Sequence, residues 1–239
     1  MRRHMFRWSP ARIIAGAFGS ISFIGSILLY LPWGHMPGQS ITYVDALYTA
    51  VSALCVTGLS IVDTAAVFNP FGQAILAVLI QVGGLGVSTM GAGVLLMLGR
   101  KVGIRQRNLI HDTMNLDSYS GVVRFLRTLF ATTVFIEIIG AFLGYFVFRR
   151  DYEMMESIGL SIFHSISSFN NAGLTILTKE RSMEMYAEDP FMLILTTALV
   201  FVGGLGFIVI RECWVNRFRW RKLSMHCLLY TSDAADDTP

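Results

Sequence analysis

Charge is scarce in this chain. Asp, Glu, Lys and Arg together make up 15% of its 239 residues, where a soluble domain carries about 25%. Cysteine is nearly absent. The three that occur, Cys55, Cys213 and Cys227, share no metal-ligand spacing and indicate no disulfide framework. The five histidines (His4, His35, His111, His164 and His226) are scattered as well, so a metal centre has no visible basis. What fills the chain is apolar: 54% of its residues, with a mean hydropathy of +0.56. Four windows, residues 13–31, 71–98, 128–148 and 191–210, each supply the roughly 20 apolar residues that cross a ~30 Å hydrocarbon core. These features describe an all-α integral membrane protein. The second window is long and is expected to tilt, kink at its glycines or protrude. The first has a basic start, but its apolar run exceeds the roughly 7–15 residues of a signal peptide. Pro32-Trp33-Gly34 then suits an interfacial turn better than a cleavage site, so this window reads as a retained span.

The few charges are sorted. Fifteen of the 19 Lys and Arg lie before the first window, between the second and third, or after the fourth. Only Arg149, Arg150, Lys179 and Arg181 lie on the other side. Basic residues favour the cytoplasm, so the N-terminus is expected to be cytoplasmic. The opposite loops carry Asp45, Asp63, Asp151, Glu153, Glu156, Glu180, Glu184, Glu188 and Asp189. That acidic face either concentrates cations or consists of solvated loops. Basic residues that follow topology this closely argue against a nucleic-acid partner.

The chain repeats itself. A shift of 115 residues aligns Ile24 with Ile139, Gly25 with Gly140, Ser52 with Ser167, Gly58 with Gly173 and Leu59 with Leu174. "VGGLG" recurs at 82–86 and 202–206, a shift of 120, which places an insertion in the second outer loop, where insertions are tolerated. One order of elements therefore occurs twice: span, short segment, glycine-centred stretch, span. The division is residues 1–12 as a cytoplasmic N-terminus, 13–99 as the first repeat, 100–123 as a cytoplasmic linker and 124–222 as the second repeat.

The short segments, 45–54 and 158–169, are too short to span. Segments of this length can be re-entrant, and the flanking spans put both ends of each outside. A short helix that dips into the membrane and returns as an extended stretch meets that requirement. Irregular backbone at such depth is tolerated where it is buried in protein or lines a watery path. Carbonyls converging on one axis can replace the hydration shell of a monovalent cation, and glycine permits the backbone angles needed. Val56-Thr57-Gly58 and Asn171-Ala172-Gly173 fit that description. Each short helix would also aim its negative end at the membrane interior. For one stretch alone, a glycine cap followed by an ordinary loop is the simpler account. The duplication, topology and segment length together favour a pore.

These residues carry a resemblance. "DALYTAVSALCVTGLSIVDTAAVFNPFGQAILAVLIQVGGLGVSTMG" (residues 45–91) and "SIFHSISSFNNAGLTI" (161–176) resemble the first two pore regions of the Ktr/Trk/HKT potassium-uptake superfamily, and within it the Ktr membrane subunit. The match covers about residues 8–222, and order, spacing and both loops agree. The resemblance implies four span–re-entrant pore loop–span repeats around a pseudo-fourfold pore, of which two are present. It implies one filter glycine per repeat, Gly58 and Gly173, with potassium on the carbonyls of Val56, Thr57, Asn171 and Ala172. It also implies a homodimer in a bacterial-type cytoplasmic membrane, bound to a cytosolic ring of nucleotide-binding regulatory subunits. No covalent cofactor is expected. Potassium is the transported ion, and sodium as a coupling or activating ion stays open.

Other residues allow other readings. "GGLG" in both second spans suits close helix packing rather than a dinucleotide loop. Glu137 lies well inside a span, where it either orients the second repeat by bonding to a pore-loop backbone or is a satisfied packing residue. Gln81 and His164 are expected to bond between helices, and Asp112 and Asp117 to be solvated. His164, Ser165 and Ser167 near a re-entrant segment leave an intramembrane serine hydrolase as the alternative function. A channel assembled from separate subunits would not need a tandem repeat. Finally, "CLLYTSDAADD" resembles the translation of a sequencing adapter, so residues 227–239 are expected to be foreign and the natural chain to continue past His226.

Overall fold

The computed structural model describes residues 10–86, 89–90, 122–177 and 183–205. All regular structure among them is helical: α1 (Pro10–Tyr30), α2 (Tyr43–Leu54), α3 (Thr64–Val67), α4 (Pro70–Gly84), α5 (Val122–Phe148), α6 (Met154–Phe169) and α7 (Pro190–Gly204), with short 3-10 turns at Pro32–Gly34 and Met183–Tyr186. Two of these helices are long and apolar enough to cross a membrane, over Arg12–Tyr30 and Phe125–Phe148.

Local chemistry starts the helices in matching ways. Asn69 and Asp189 cap α4 and α7, each immediately before Pro-Phe. The Asn69 side chain accepts from the Phe71 and Gly72 amides at 2.9 and 3.1 Å. Asp189 accepts from Phe191 and Met192 at 2.9 and 3.2 Å. Proline at the first helical position lacks only an amide that would have had no partner. A capping box opens α2, with Thr42 and Asp45 each bonded to the other's backbone.

The order of packing repeats too. The short helix α2 packs on α1 and α4, and α6 packs on α5 and α7. Ala46, Ala50 and Ala53, one helical stripe, are fully buried on α2, so small side chains let that helix seat closely. Gly25 admits Leu79, and its equivalent Gly140 admits Leu199. A Cβ on either glycine would come within 2.9 Å of the leucine's methyl carbon. One apolar cluster then joins the halves, from Leu29, Phe68 and Ile80 to Phe148, Phe163 and Leu195.

Several boundaries depart from the sequence reading. The second short helix begins at Met154 and the helix after the linker at Val122, both earlier than expected. The long window 71–98 is not one uninterrupted helix. Its helix stops at Gly84, and Gly86 follows at a φ of 81°. Residues 87–88 and 91–121, which include Asp112 and Asp117 of the linker, and residues 206–239 with the adapter-like tail lie outside the described residues.

Candidate ion site

Helix α2 ends at Leu54 and α6 at Phe169, and the chain reverses in the same way after each. Val56 and Asn171 have φ of 56° and 57°, and Gly58 and Gly173 have φ of 75° and 68°. Left-handed backbone is uncommon outside glycine, tolerated by Asn and strained for a β-branched residue such as Val. Holding it costs of order 1–3 kcal/mol per residue, and it persists only where the surroundings impose it.

The surroundings do impose it. The amides of Thr57 and Ala172 reach back to the carbonyls of Ser52 and Ser167 at 3.0 and 2.8 Å. The same two serines hold the returning chain. Ser52 donates to the Leu59 carbonyl at 2.5 Å and Ser167 to the Leu174 carbonyl at 2.6 Å. Each serine therefore fastens both strands of its turn. The aligned serines marked these positions in the sequence, but their role as clamps was not legible there.

The "GGLG" runs press on the ends of the short helices. A Cβ on Gly83 would come within 1.9 Å of the Leu54 carbonyl oxygen, and one on Gly203 within 1.8 Å of that of Phe169. Close packing through small residues is therefore what these motifs provide. The two turns also meet each other. A Cβ on Gly58 would approach the Ala172 carbonyl oxygen to 2.6 Å and the Gly173 Cα to 3.4 Å. Thr64 adds a link between the halves by donating from its hydroxyl to the Thr175 carbonyl. All six residues singled out in the sequence, Val56, Thr57, Gly58, Asn171, Ala172 and Gly173, thus belong to two adjoining turns of one design.

The polar residues nearby have structural partners. Asn170 donates to Gln81 at 2.9 Å and to Glu137 at 3.3 Å. Of the two readings of Glu137, the contacts fit the satisfied residue: its side chain meets the Asn170 amide rather than a pore-loop backbone, and its own carbonyl accepts from Ser165 at 2.8 Å. His164 bonds across helices to Thr196 at 3.0 Å, as expected. Ser165 and Ser167 both donate to backbone carbonyls rather than to His164, whose serine neighbour is instead Ser168 at 3.4 Å. Cys55 is exposed and unpaired. No cluster of three metal-ligating side chains occurs among the described residues.

Residues 10–227 match the TrkH family model, described as cation transport protein. The chain belongs to this family. The Ktr system potassium uptake protein B of Bacillus subtilis is 35% identical over 93% of this chain and 49% of its own length. The potassium/sodium uptake protein NtpJ of Enterococcus hirae is 34% identical over 92% of this chain and 48% of its own. The Vibrio alginolyticus Ktr system potassium uptake protein B is 36% identical over 92% and 47%. The chain thus spans about half the length of these relatives, and the superfamily resemblance read from its pore-like stretches is borne out.

Proposed function

We propose that this chain supplies two of four span–pore loop–span repeats to the pore of a potassium uptake transporter in the cytoplasmic membrane. The observation that carries the proposal is the paired turn: two short helices, each followed by backbone of positive, negative and positive φ, meeting at Gly58 and Gly173. Alternating handedness can turn successive carbonyls to one side, where they replace water around a cation. Val56, Thr57, Asn171 and Ala172 would provide those carbonyls. The end of each helix adds partial negative charge behind them.

Other features support the setting. Phe23, Val78, Ile138, Phe142, Ile194 and Phe201 are large, apolar and more than half exposed, which suits contact with lipid. The basic asymmetry supports a cytoplasmic N-terminus. Relatives named for a Ktr system, and one named for potassium and sodium uptake, support potassium as the ion, sodium as an accompanying one and an assembly of several components. A homodimer resting on a cytosolic nucleotide-binding ring is the arrangement this reading takes from the family resemblance.

Rubidium uptake by cells stripped of their own potassium uptake tests the proposal. The intact transporter containing this sequence should restore uptake, and Gly58→Ser should weaken it and reduce its preference over sodium. Normal uptake and preference in Gly58→Ser would mean that the turn is an ordinary loop.

A further inference from the structure

The two turns share a backbone, yet their polar surroundings differ. Asn170, the residue before the second turn, is buried, and its amide is held at three points: Gln81 at 2.9 Å, Glu137 at 3.3 Å and the Ile166 carbonyl at 2.9 Å. Gln81 belongs to α4 of the first half, whereas Glu137 lies on α5 and Asn170 caps the end of α6 in the second. The wall beside them is Gly84, where a Cβ would fall 2.0 Å from Asn170 Oδ1. Gly84 is helical, so what it contributes is space.

None of this is needed to make the turn. In the first half the position of Asn170 is taken by Cys55, which is exposed, and that of Glu137 by Ser22, whose side chain is far shorter. The position of Gln81 corresponds in the second half to Phe201, also exposed. The first turn holds the same φ values with Cys55 in place of a socketed amide. Three polar side chains in an apolar interior would cost free energy if unpaired; here the Asn170 amide pairs with the other two across the boundary between the halves. The cluster therefore fixes one turn relative to the other rather than shaping either.

We propose that Gln81, Gly84 and Glu137 form a socket for the Asn170 side chain, and that this socket sets the distance between the two carbonyl-bearing turns. Asn170 is then a positioning residue for ion selectivity. The proposal rests on the reading of these turns as half of an ion filter.

The test uses the intact transporter in potassium-uptake-deficient cells, with rubidium and sodium uptake normalised to transporter in the membrane. Asn170→Leu removes the socketed amide, and Gly84→Ala fills its space while leaving every hydrogen-bonding group present. Both should lower the rubidium-to-sodium preference about tenfold, the factor that corresponds to losing one buried hydrogen bond. Glu137→Gln keeps an acceptor and should stay near wild type, whereas Glu137→Leu should follow Asn170→Leu. A merely structural role would reduce the amount in the membrane and leave the preference per molecule unchanged. That result in Gly84→Ala overturns the socket, even where Asn170→Leu fails to fold. Gly58→Ser is measured beside them. If it alters preference while the socket variants do not, only the socket proposal falls; if neither responds, the filter reading falls too.

Discussion

Gly58 and Ala172 meet across the boundary between the two halves, so closely that a Cβ on Gly58 would lie 2.6 Å from the Ala172 carbonyl oxygen. Gly173 is not confined in the same way: its nearest neighbour would stand 3.7 Å from a Cβ. Both glycines have left-handed φ, so any side chain strains either site, but only Gly58 adds a collision with backbone. Gly58→Ser should therefore impair potassium transport more than Gly173→Ser. Initial rubidium uptake per transporter in the membrane checks the order. Equal losses would mean that backbone strain alone sets the effect.

The serine clamps should differ in strength. Ser167 reaches Leu174 in a buried setting, whereas the Ser52 bond to Leu59 is only partly buried and Thr57 Oγ1 lies 3.0 Å away from Ser52 Oγ. Leaving a buried carbonyl unsatisfied costs about 1–3 kcal/mol, and less where water or another hydroxyl can substitute. Ser167→Ala should lower the thermal unfolding midpoint of the detergent-purified transporter more than Ser52→Ala. No change from Ser167→Ala would show that its turn stands without the clamp.

Gly83 and Gly203 have no room for a methyl group. Their neighbours are backbone carbonyls at 1.9 and 1.8 Å from the Cβ position, which cannot swing aside as a side chain can. Overpacking of this kind costs roughly 1–3 kcal/mol or more. Gly83→Ala and Gly203→Ala should both destabilise the protein in the same thermal assay, and displace the short helices that precede the turns. Wild-type stability in both would contradict the close approach of these helices.

Orientation can be tested separately. Cysteines placed at Asp45, Asp63 and Glu184 should react with an impermeant thiol reagent in intact cells, and those at Arg105 and Arg219 should not. Cys55 is exposed, so it is first replaced by alanine. Labelling at Arg105 would reverse the orientation and, with it, the side from which both turns enter.

Much of this organisation was legible in the residues because the chain states it twice. Ser52 with Ser167 and Gly58 with Gly173 announced two equivalent turns, and apolar length announced the flanking helices. Helix starts were less legible. The second short helix gains a turn at Met154, where outer-loop residues carry no strong boundary signal beyond Glu153. The role of Asn170 was hidden for a different reason. It depends on Gln81, far away in sequence, and it breaks the internal repeat, so a search for equivalence passes over it. Ser165 and Ser167 misled in the opposite sense: beside His164 they suggest catalysis, but their hydroxyls spend their donors on carbonyls. Neighbourhood along a helix says little about which way a hydroxyl bonds.

The most direct measurement is the anomalous scattering of thallium or rubidium soaked into crystals of the intact transporter. The account predicts a peak on the axis between the two turns, within coordination distance of the carbonyl oxygens of Val56, Thr57, Asn171 and Ala172, and its loss when sodium replaces the heavier ion. A peak seated elsewhere in the transporter, with these four carbonyls unoccupied at saturating ion, would contradict the claim that the paired turns carry the cation.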